Sequence, residues 1–225
     1  MNLLLLGRGK TGSLVAEVAV TRGHKVRAMG SEENAGAAAL DKETLQTFNC
    51  VIDFTTPTAV IPNIIACTQA GTNMVVGTTG WYDKLPQVKE LVQHSKSGFI
   101  YESNFSVGVN IFFEIAAAAS AALKQGYTAR IVERHHAQKK DAPSGTATTI
   151  KERLGSPDVE ITSIREGETV GQHVIMLDSA NDTMMLVHDA KSRRGFAEGA
   201  VLAAEWLQGK TGFHEFKEVL KAQLR

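Results

Sequence analysis

The fold is decided by the stretch NLLLLGRGKTGSLVAEVA, residues 2–19, which runs from an apolar segment through a glycine turn into a second apolar-patterned segment. The four leucines predict a buried strand, and the residues after the turn predict a helix. Gly7, Gly9 and Gly12 have the GxGxxG spacing, which permits a tight turn, backbone approach to a pyrophosphate and close helix packing. The stretch therefore indicates dinucleotide binding, although a ligand-free turn has the same spacing. The predicted cofactor-binding residues of this turn are Gly7, Gly9, Lys10, Thr11 and Gly12.

The residues that would select between NADH and NADPH are ambiguous. The second apolar run leads into GSEE at residues 30–33, where an acidic residue is expected about 20 residues after the glycine turn. Glu32 would accept a hydrogen bond from a ribose 2′-hydroxyl, or would be a solvated loop charge. Ser31, with Lys10 or Arg27, would instead hold a 2′-phosphate. Both NADH and NADPH therefore stay open as the cofactor.

The first hundred residues alternate short apolar runs with helix-like stretches, which predicts parallel strands joined by crossover helices. The runs are apolar throughout, as is typical of parallel strands covered on both faces. The sequence thus predicts a Rossmann-like, doubly wound parallel sheet domain of the α/β class. The predicted strands are 2–6, 24–29, 50–54, 73–77 and 98–101, and the predicted helices are 11–22, 41–47, 58–70 and 84–96.

The second half of the chain has a different pattern, which predicts a second α+β domain with an open mixed sheet. An Ala-rich helix is predicted at about 109–124, and strands are predicted near 127–134, 158–164, 172–178 and 183–190. The helical spacing of apolar residues after 194 suits packing against the first domain. We therefore expect residues 1–106 and 194–225 to form a dinucleotide-binding domain. Residues 107–193 are expected to form a substrate-binding and oligomerisation domain, because an open sheet needs cover.

Charge and cysteine content limit the classes of partner. Lys+Arg and Asp+Glu both number 24, so no net charge draws the chain to nucleic acid or to an anionic membrane. Cys50 and Cys67 lie in apolar contexts without CxxC spacing, which indicates reduced, buried thiols. No run of about 18 apolar residues occurs, and the N-terminal run lacks the basic leader of a secretory signal. We expect a cytoplasmic protein that binds small molecules, without nucleic-acid or membrane partners.

The segment ERHHAQKKDAPSGTAT, residues 133–148, connects a predicted strand to a predicted helix. Ser144 is typical of a helix start, because its side chain accepts from free N–H groups of the first turn. The N–H groups of Gly145 and Thr146 would then face an anion, most naturally a carboxylate. Lys139 adds a positive charge nearby. A capped helix with solvated lysines would have the same residues.

His135 and His136 are consecutive, so on an extended backbone their side chains point in opposite directions. Each histidine titrates near neutrality and can donate or accept a proton. A zinc site would need more ligands, and the near candidates, Asp141 and Glu133, do not have the usual metal-ligand spacing. We therefore predict no metal. The pair is either a proton-transfer site or a structural, inert pair.

Two further segments lie where parallel strands of the first domain end. VVGTTG, residues 75–80, places small hydroxyl residues at the carboxyl end of a strand, where ligands of open α/β sheets bind. These residues would contact the nicotinamide, or would form an ordinary turn. SNFSVGVN, residues 103–110, suits a hinge that meets the cofactor, or a simple connector.

Six segments together resemble the dihydrodipicolinate reductase (4-hydroxy-tetrahydrodipicolinate reductase) family. They are VIDFTTP, VVGTTG, SNFSVGVN, ERHHAQKKDAPSGTA, REGETVGQHVI and AKSRRGFAEGAVLAAEWL, and they span nearly the whole chain in the family's order. The resemblance implies hydride transfer from NADH or NADPH to a cyclic, dicarboxylated imine, giving tetrahydrodipicolinate in lysine and diaminopimelate biosynthesis. It also implies a homotetramer. A non-catalytic NAD(P)-binding sensor and a same-fold reductase of another dicarboxylic acid are the alternatives.

The resemblance also implies roles for individual residues. His135 matches the general-acid position and Lys139 the second proton-donating position. Substrate binding is implied for His136, Gly145 and Thr146, to which the helix start adds Ser144. Cofactor contacts are implied for Gly77, Thr78, Thr79, Glu102, Ser103, Asn104 and Phe105. Many relatives carry a longer glycine-rich insertion before residue 172, so the oligomeric state stays open.

Overall fold

The computed structural model describes residues 1–223, and this part of the chain divides into two compact units. The first unit consists of Met1–Ser106 and the segment from Arg194 onward, and the second consists of Val107–Arg193. The last two positions of the predicted first domain, 224 and 225, lie outside the described residues. Each unit has its own sheet and its own hydrophobic core.

The first unit is built on a six-stranded sheet in which every neighbouring pair of strands is parallel. Its strands are β1 (Asn2–Leu6), β2 (Lys25–Met29), β3 (Cys50–Asp53), β4 (Asn73–Val76), β5 (Gly98–Tyr101) and β10 (Gly212–Glu215). Their order across the sheet is β10-β5-β4-β3-β1-β2. All of β3 and the four leucines of β1 are buried, because helices cover the sheet on both faces.

The helices of the first unit begin and end where local chemistry requires. They are α1 (Lys10–Thr21), α2 (Lys42–Leu45), α3 (Pro57–Ala70), α4 (Leu85–Gln93), α7 (Arg194–Trp206) and α8 (Phe216–Gln223), with 3-10 turns at Ala35–Ala37 and Tyr82–Lys84. Helix α3 begins with a proline and ends at Gly71, whose φ of 74° is the left-handed conformation that glycine adopts readily. Helix α4 is shorter than the predicted helix at 84–96, because Lys84 belongs to the second 3-10 turn and the helix ends at Gln93.

Strand β10 was not predicted from the sequence. Its four residues, GFHE, pair in parallel with β5, and Phe213 stacks on Phe99 at a ring-centroid distance of 5.5 Å. A strand this short at the edge of a sheet shows no usable hydrophobic periodicity, because only one of its residues is strongly apolar. Its position is set by packing against β5 rather than by local sequence.

The second unit contains a four-stranded mixed sheet in the order β7-β6-β8-β9. The strands are β6 (Thr128–His135), β7 (Glu160–Arg165), β8 (Gly171–Asp178) and β9 (Thr183–Ala190), and the helices are α5 (Val107–Leu123) and α6 (Gly145–Leu154). Strands β6 and β7 are parallel, and the other two pairs are antiparallel. Residues Ile131 and Ile175 pack with the helices in one core. On strand β9, by contrast, the side chains of Met185 and Val187 are 58% and 55% exposed. The predicted fold class is thus confirmed.

Both cysteines lie in the first unit. Cys50 is in β3 and Cys67 is in α3, and both are buried, free thiols, as predicted. Burial raises the pKa of both thiols above the usual value. Among residues 1–223, no helix is both long and apolar enough to cross a membrane.

The glycine turn generates the first prediction. A Cβ atom on Gly12 would lie 2.1 Å from the carbonyl oxygen of Gly7, whereas a Cβ atom on Gly9 meets nothing within 4 Å. Gly12→Ala should therefore lower the free energy of unfolding by about 1–3 kcal/mol, the usual cost of overpacking. Urea unfolding followed by circular dichroism measures this value. Gly9→Ala is the matched control, and an equal loss in both variants would contradict close packing at Gly12.

Candidate active site

A pocket of about 360 Å³ opens in the first unit where β1, β2 and β3 end. The glycine turn forms one wall, and Gly30, Ser31 and the start of α3 form others. Gly7 has a φ of 99°, and a Cβ atom there would lie 2.2 Å from a carbonyl oxygen of Phe54. Helix α1 begins at Lys10, and its N-cap is Gly9, which has no side chain to cap the first turn. The turn therefore fits a pyrophosphate, because its backbone is open and the helix N-terminus favours an anion.

The end of β2 carries a charge pair that sequence reasoning did not identify. Glu33 accepts a hydrogen bond from the Gly30 N–H at 2.9 Å and pairs with Arg8 at 2.6 Å. Arg8 also donates to the Ala28 carbonyl at 2.7 Å. Arg27, by contrast, lines a separate groove with Asn2 and Thr47. Arg8 of the glycine turn therefore lines this end of the pocket, and Glu33 of the loop after β2 is paired with it.

A buried carboxylate organises the ends of β3 and β4. Asp53 is fully buried, and its Oδ1 accepts hydrogen bonds from the hydroxyls of Thr55 at 2.7 Å and Thr78 at 2.6 Å. Its Oδ2 accepts from the amide of Asn63 at 2.8 Å. The hydroxyl of Thr78, a predicted cofactor residue, is thus engaged inside the protein. Gly77 is required there, because a Cβ atom would lie 2.2 Å from the Phe54 ring.

The predicted cofactor segment at 102–105 follows β5. Glu102 accepts from the N–H and hydroxyl of Ser103 at 2.8 and 3.1 Å, and burial raises the pKa of its carboxyl group. Asn104 is buried and accepts from the Ser106 N–H at 2.9 Å. Phe105 packs against Phe216 at a ring-centroid distance of 5.1 Å. The predicted cofactor residues of the first unit therefore lie just after the carboxyl ends of parallel strands, where such sheets bind ligands, and Lys10, Thr11 and Gly12 among them form the first turn of α1.

The loop between β6 and α6 brings the predicted catalytic residues together in the second unit. Strand β6 ends at His135, and α6 begins at Gly145 with Ser144 as its N-cap. The Ser144 hydroxyl accepts from the Ala147 N–H at 3.2 Å, as the sequence predicts for a helix start. Gly145 is exposed and Thr146 is half-buried at the first turn of the helix. The positive end of the α6 dipole thus lies beside the loop.

Glu133 is fully buried and receives hydrogen bonds from several donors. Arg165 donates to its Oε1 at 2.7 Å, the Ser144 N–H donates to the same oxygen at 3.3 Å, and His135 Nδ1 makes a short hydrogen bond to its Oε2. Burial by itself raises the pKa of Glu133, but hydrogen bonds from Arg165, Ser163 and His135 outweigh it and lower the pKa to about 2. Glu133 is therefore an anion at neutral pH.

His135 is buried beside this anion. Burial lowers its pKa, the Glu133 carboxylate raises it, and the charges of Lys139 and Arg165 lower it again, so that the net direction is downward. Its ring meets that of His173 edge to face at 5.2 Å. Because Nδ1 is bound to Glu133, Nε2 is the ring nitrogen left for another partner.

His136 and Lys139 have different surroundings from His135. His136 lies near Gln138 on one ring nitrogen and Arg193 on the other, at 3.2 and 3.3 Å. The Lys139 ammonium donates to both carboxylate oxygens of Asp141 at 2.7 and 2.8 Å, and its side chain is only 23% exposed. The loop therefore offers a fixed cation and two histidines with separate contacts.

His173 is a buried residue of this cluster that sequence reasoning missed. Its Nε2 is 3.2 Å from the Ser144 hydroxyl, and its buried Nδ1 has no hydrogen-bond partner in the part of the chain that the structure describes. Burial lowers the pKa of His173 to about 3, helped by the charge of His135. The alternation of β8, which buries Gly171, His173 and Ile175, was the signal that could have found it.

The carboxylate and the two buried histidines also lie close enough to hold a metal ion. One ligand atom from each of Glu133, His135 and His173 lies within 4.8 Å of the others. However, both oxygens of Glu133 already accept hydrogen bonds, and Arg165 brings a positive charge to the same group. A second cation would be repelled there, so the donor set fits proton chemistry better than metal binding.

Comparison with known proteins gives one consistent result. Residues 1–105 match a family model described as dihydrodipicolinate reductase, N-terminus, and residues 108–220 match one described as dihydrodipicolinate reductase, C-terminus. The 4-hydroxy-tetrahydrodipicolinate reductase of Christiangramia forsetii is 36% identical, with 98% of each chain covered. That of Chromobacterium violaceum is 35% identical, with 76% of this chain and 72% of the relative covered.

Solved structures show the same fold. A dipicolinate-bound dihydrodipicolinate reductase from Paenisporosarcina sp. TG-14 has a TM-score of 0.77 at 23% identity, covering 96% of this chain and 97% of that one. A DAP dehydrogenase of C. glutamicum has a TM-score of 0.61 at 11% identity, covering 100% of this chain and 95% of that one. At these identities the two structures support the fold alone.

The buried histidine generates the second prediction. Since the pKa of His173 is about 3 in the folded chain and near 6.5 when unfolded, the unfolded state binds the extra proton as the pH falls below 6.5. The free energy of unfolding should therefore drop between pH 6.5 and 5 by up to about 1.4 kcal/mol per pH unit from this group. His173→Gln should make the decline shallower, as measured by urea unfolding across this range.

The pH window and the control make the test specific. Glu133 loses its contribution only below about pH 4.5, where the unfolded carboxyl group takes up a proton, so it does not interfere. His135 and His188 act in the same direction as His173, so the variant removes only part of the slope. His94→Gln, at an exposed position, is the control. An unchanged slope in His173→Gln would contradict a buried, neutral His173.

Proposed function

The chain belongs to the dihydrodipicolinate reductase family, and we propose that it reduces 4-hydroxy-tetrahydrodipicolinate to tetrahydrodipicolinate in lysine and diaminopimelate biosynthesis. The balanced reaction consumes one reduced nicotinamide nucleotide and one proton, and releases one water. The observation that carries the proposal is the end of β6 with the loop after it, where Glu133 and His135 contact each other, Glu133 accepts from the N-cap of α6, and Lys139 follows in the loop. The chemistry of the reaction needs each of these groups.

His135 is the proposed general acid. The cofactor supplies a hydride, and hydride addition to the conjugated imine leaves negative charge on the substrate, which an acid must neutralise. His135 is held by Glu133 through Nδ1, so its Nε2 can deliver the proton. The Glu133 carboxylate stabilises the charged imidazolium that this role requires. Burial outweighs this stabilisation and holds the pKa of His135 below its usual value, so the proton is readily given up.

Lys139 and the start of α6 are proposed to bind the substrate's negative charges. The Lys139 ammonium is held in place by Asp141 and would offset charge as it develops, and it would supply the second proton-donating group. Ser144, Gly145 and Thr146 would receive one carboxylate at the helix N-terminus. His136, which lies near Arg193, would meet the other carboxylate. Two anion sites suit a doubly negative ring.

The cofactor is a pyridine nucleotide, as in the family, and we propose NADH or NADPH bound by the first unit. Its pyrophosphate would lie on the glycine turn, Gly7 to Gly12, with the adenosine ribose in the pocket near Ser31. The predicted contacts at Gly77–Thr79 and at Glu102–Phe105 would follow the cofactor along the carboxyl edge of the sheet. Arg8 is the nearest candidate for a 2′-phosphate, and Glu33 for a 2′-hydroxyl.

A homotetramer in the cytoplasm, with no nucleic-acid or membrane partner, completes the proposal. The second unit leaves the apolar side chains of Met185 and Val187 exposed on the edge strand β9, and such side chains favour cover by another copy. The formal net charge of zero offers no attraction for nucleic acid or anionic lipid. The two buried free thiols suit a reducing compartment.

The catalytic assignment is tested by changing both proton-donating groups. His135→Ala with Lys139→Ala should lower kcat by roughly 10²–10⁴, because a positioned general acid contributes that much, while cofactor binding stays intact. The assay supplies the product of dihydrodipicolinate synthase and follows nicotinamide absorbance, with NADH and NADPH run side by side.

Lys140→Ala, at the exposed neighbouring lysine, is the matched control and should keep wild-type turnover. Unchanged kcat in the double variant would refute the assignment. If the wild-type chain binds the nucleotide but never oxidises it, the sensor hypothesis is favoured. Turnover of a different dicarboxylic acid in a panel of imines and keto acids would favour the other reductase hypothesis.

The oligomer is tested on the open sheet face. Val187→Lys should weaken assembly by placing charge on the apolar face, so that light scattering after gel filtration reports a smaller species. Val20→Lys, at an exposed valine of α1 in the first unit, is the control and should keep the wild-type mass. A wild-type chain that is a monomer at micromolar concentration would contradict the proposed tetramer.

A further inference from the structure

We propose that Glu133 is a positioning residue that fixes the tautomer and orientation of His135, and that the same carboxylate ties His135 to the N-cap of α6. Arg165 holds Glu133 in place. The inference rests on the proposed role of His135 as general acid and extends it to residues to which sequence reasoning assigned no such role. One carboxylate would thereby align the proton donor with the helix end that receives the substrate.

The register of three strands brings the participating residues to one face of the sheet. Glu133 and His135 are two residues apart on β6, so both side chains point inward. In the parallel neighbour β7, Arg165 is the register partner of His135. In the antiparallel neighbour β8, His173 is the register partner of Glu133. The sheet therefore makes this polar group without help from any loop.

The hydrogen bonds of Glu133 divide between its two oxygens. Its Oε1 accepts from Arg165 at 2.7 Å and from the Ser144 N–H at 3.3 Å, whereas its Oε2 accepts from His135 Nδ1. Ser144 is the N-cap of α6. The position of His135 and the position of the α6 N-terminus are thus set by opposite oxygens of one rigid group. A shift of the carboxylate would move both.

The charge of Glu133 also offsets groups that oppose a protonated His135. His135 faces Glu133 on β6, Arg165 on β7, His173 on β8 and Lys139 on the loop. Arg165 and Lys139 are cations, and burial further disfavours the charged ring. Among the residues that the structure describes, Glu133 is the carboxylate in contact with His135 and the anion that favours its protonated form. Without that anion the pKa of His135 would fall further, and a smaller fraction of the ring would be protonated and able to donate.

The first experiment compares Glu133→Gln with the wild type in the coupled assay across pH. A general acid loses activity as the pH rises through its pKa, which gives the high-pH limb of the pH–activity profile. Loss of the partner charge should move this high-pH limb to lower pH by about 1–3 units. Each unit lowers the protonated fraction, and therefore kcat above the pKa, about tenfold. Glu133→Asp restores the charge and should recover part of the shift. Glu166→Gln, at an exposed glutamate paired with Arg134, is the matched control and keeps the wild-type profile.

A second measurement uses the unaltered chain and does not depend on the folding of any variant. NMR of ¹⁵N-histidine-labelled protein reports which ring nitrogen of neutral His135 carries the proton, with His135→Asn used only to assign the signal. Glu133 requires the proton on Nδ1. A proton on Nε2 in the neutral ring would overturn the inference.

The outcomes separate this inference from the proposed function. If the wild type does not reduce the substrate, the proposed function fails, while the NMR result still decides the role of Glu133. If His135 proves essential but Glu133→Gln keeps the wild-type pH limb, the proposed function stands and the inference is wrong. A lowered kcat with an unshifted limb would indicate a structural role and would equally overturn it.

Discussion

A carboxylate buried inside a sheet must be matched by donors, and this constraint shapes the second unit. Glu133 has no exposure to water, so an unpaired charge there would be costly. Arg165, His135 and the Ser144 N–H supply the donors from two strands and one helix start. The relative placement of these elements is therefore fixed by electrostatics as well as by apolar packing. The candidate active site is assembled around the same group.

The first unit also contains a buried carboxylate whose charge is matched by hydrogen-bond donors. Asp53 is also fully buried, and its donors come from the residues that follow β3 and β4 and from α3. Such hydrogen bonds hold the ends of two neighbouring parallel strands at a fixed spacing. Gly77 and Gly7 of the glycine turn then let the backbone lie against Phe54, where a Cβ atom would not fit. Each unit thus uses one buried acid to order the loops that hold its candidate site residues.

Much of the fold was predictable because its signals are local. The glycine turn, the apolar strands and the Ser144 cap each depend on a few consecutive residues. The structure has them at the predicted positions. Strand β10 was not predictable, since its pairing partner is more than 100 residues earlier in the chain. His173 and Arg165 were missed for the same reason, because strand register alone pairs Arg165 with His135 and His173 with Glu133.

The site predictions differ in how much local sequence could say. The side chains of His135 and His136 were predicted to point in opposite directions because the residues are consecutive at a strand end. Their hydrogen-bond partners in the structure are indeed different. The hydroxyl of Thr78 could not be assigned, because its acceptor, Asp53, lies on another strand. Likewise the sequence pointed to Glu32, whereas Glu33 is the residue that accepts from the Gly30 N–H, and this contact depends on a backbone turn that no side-chain pattern encodes.

The two buried cysteines have a practical consequence for handling the protein. Thiolates are the species that react with peroxide and with alkylating reagents, and burial suppresses ionisation of both groups in the folded chain. Since Cys50 and Cys67 both belong to the first unit, the rate at which a thiol reagent labels them reports the opening of that unit and not of the other. The chain therefore carries its own built-in probe of local unfolding.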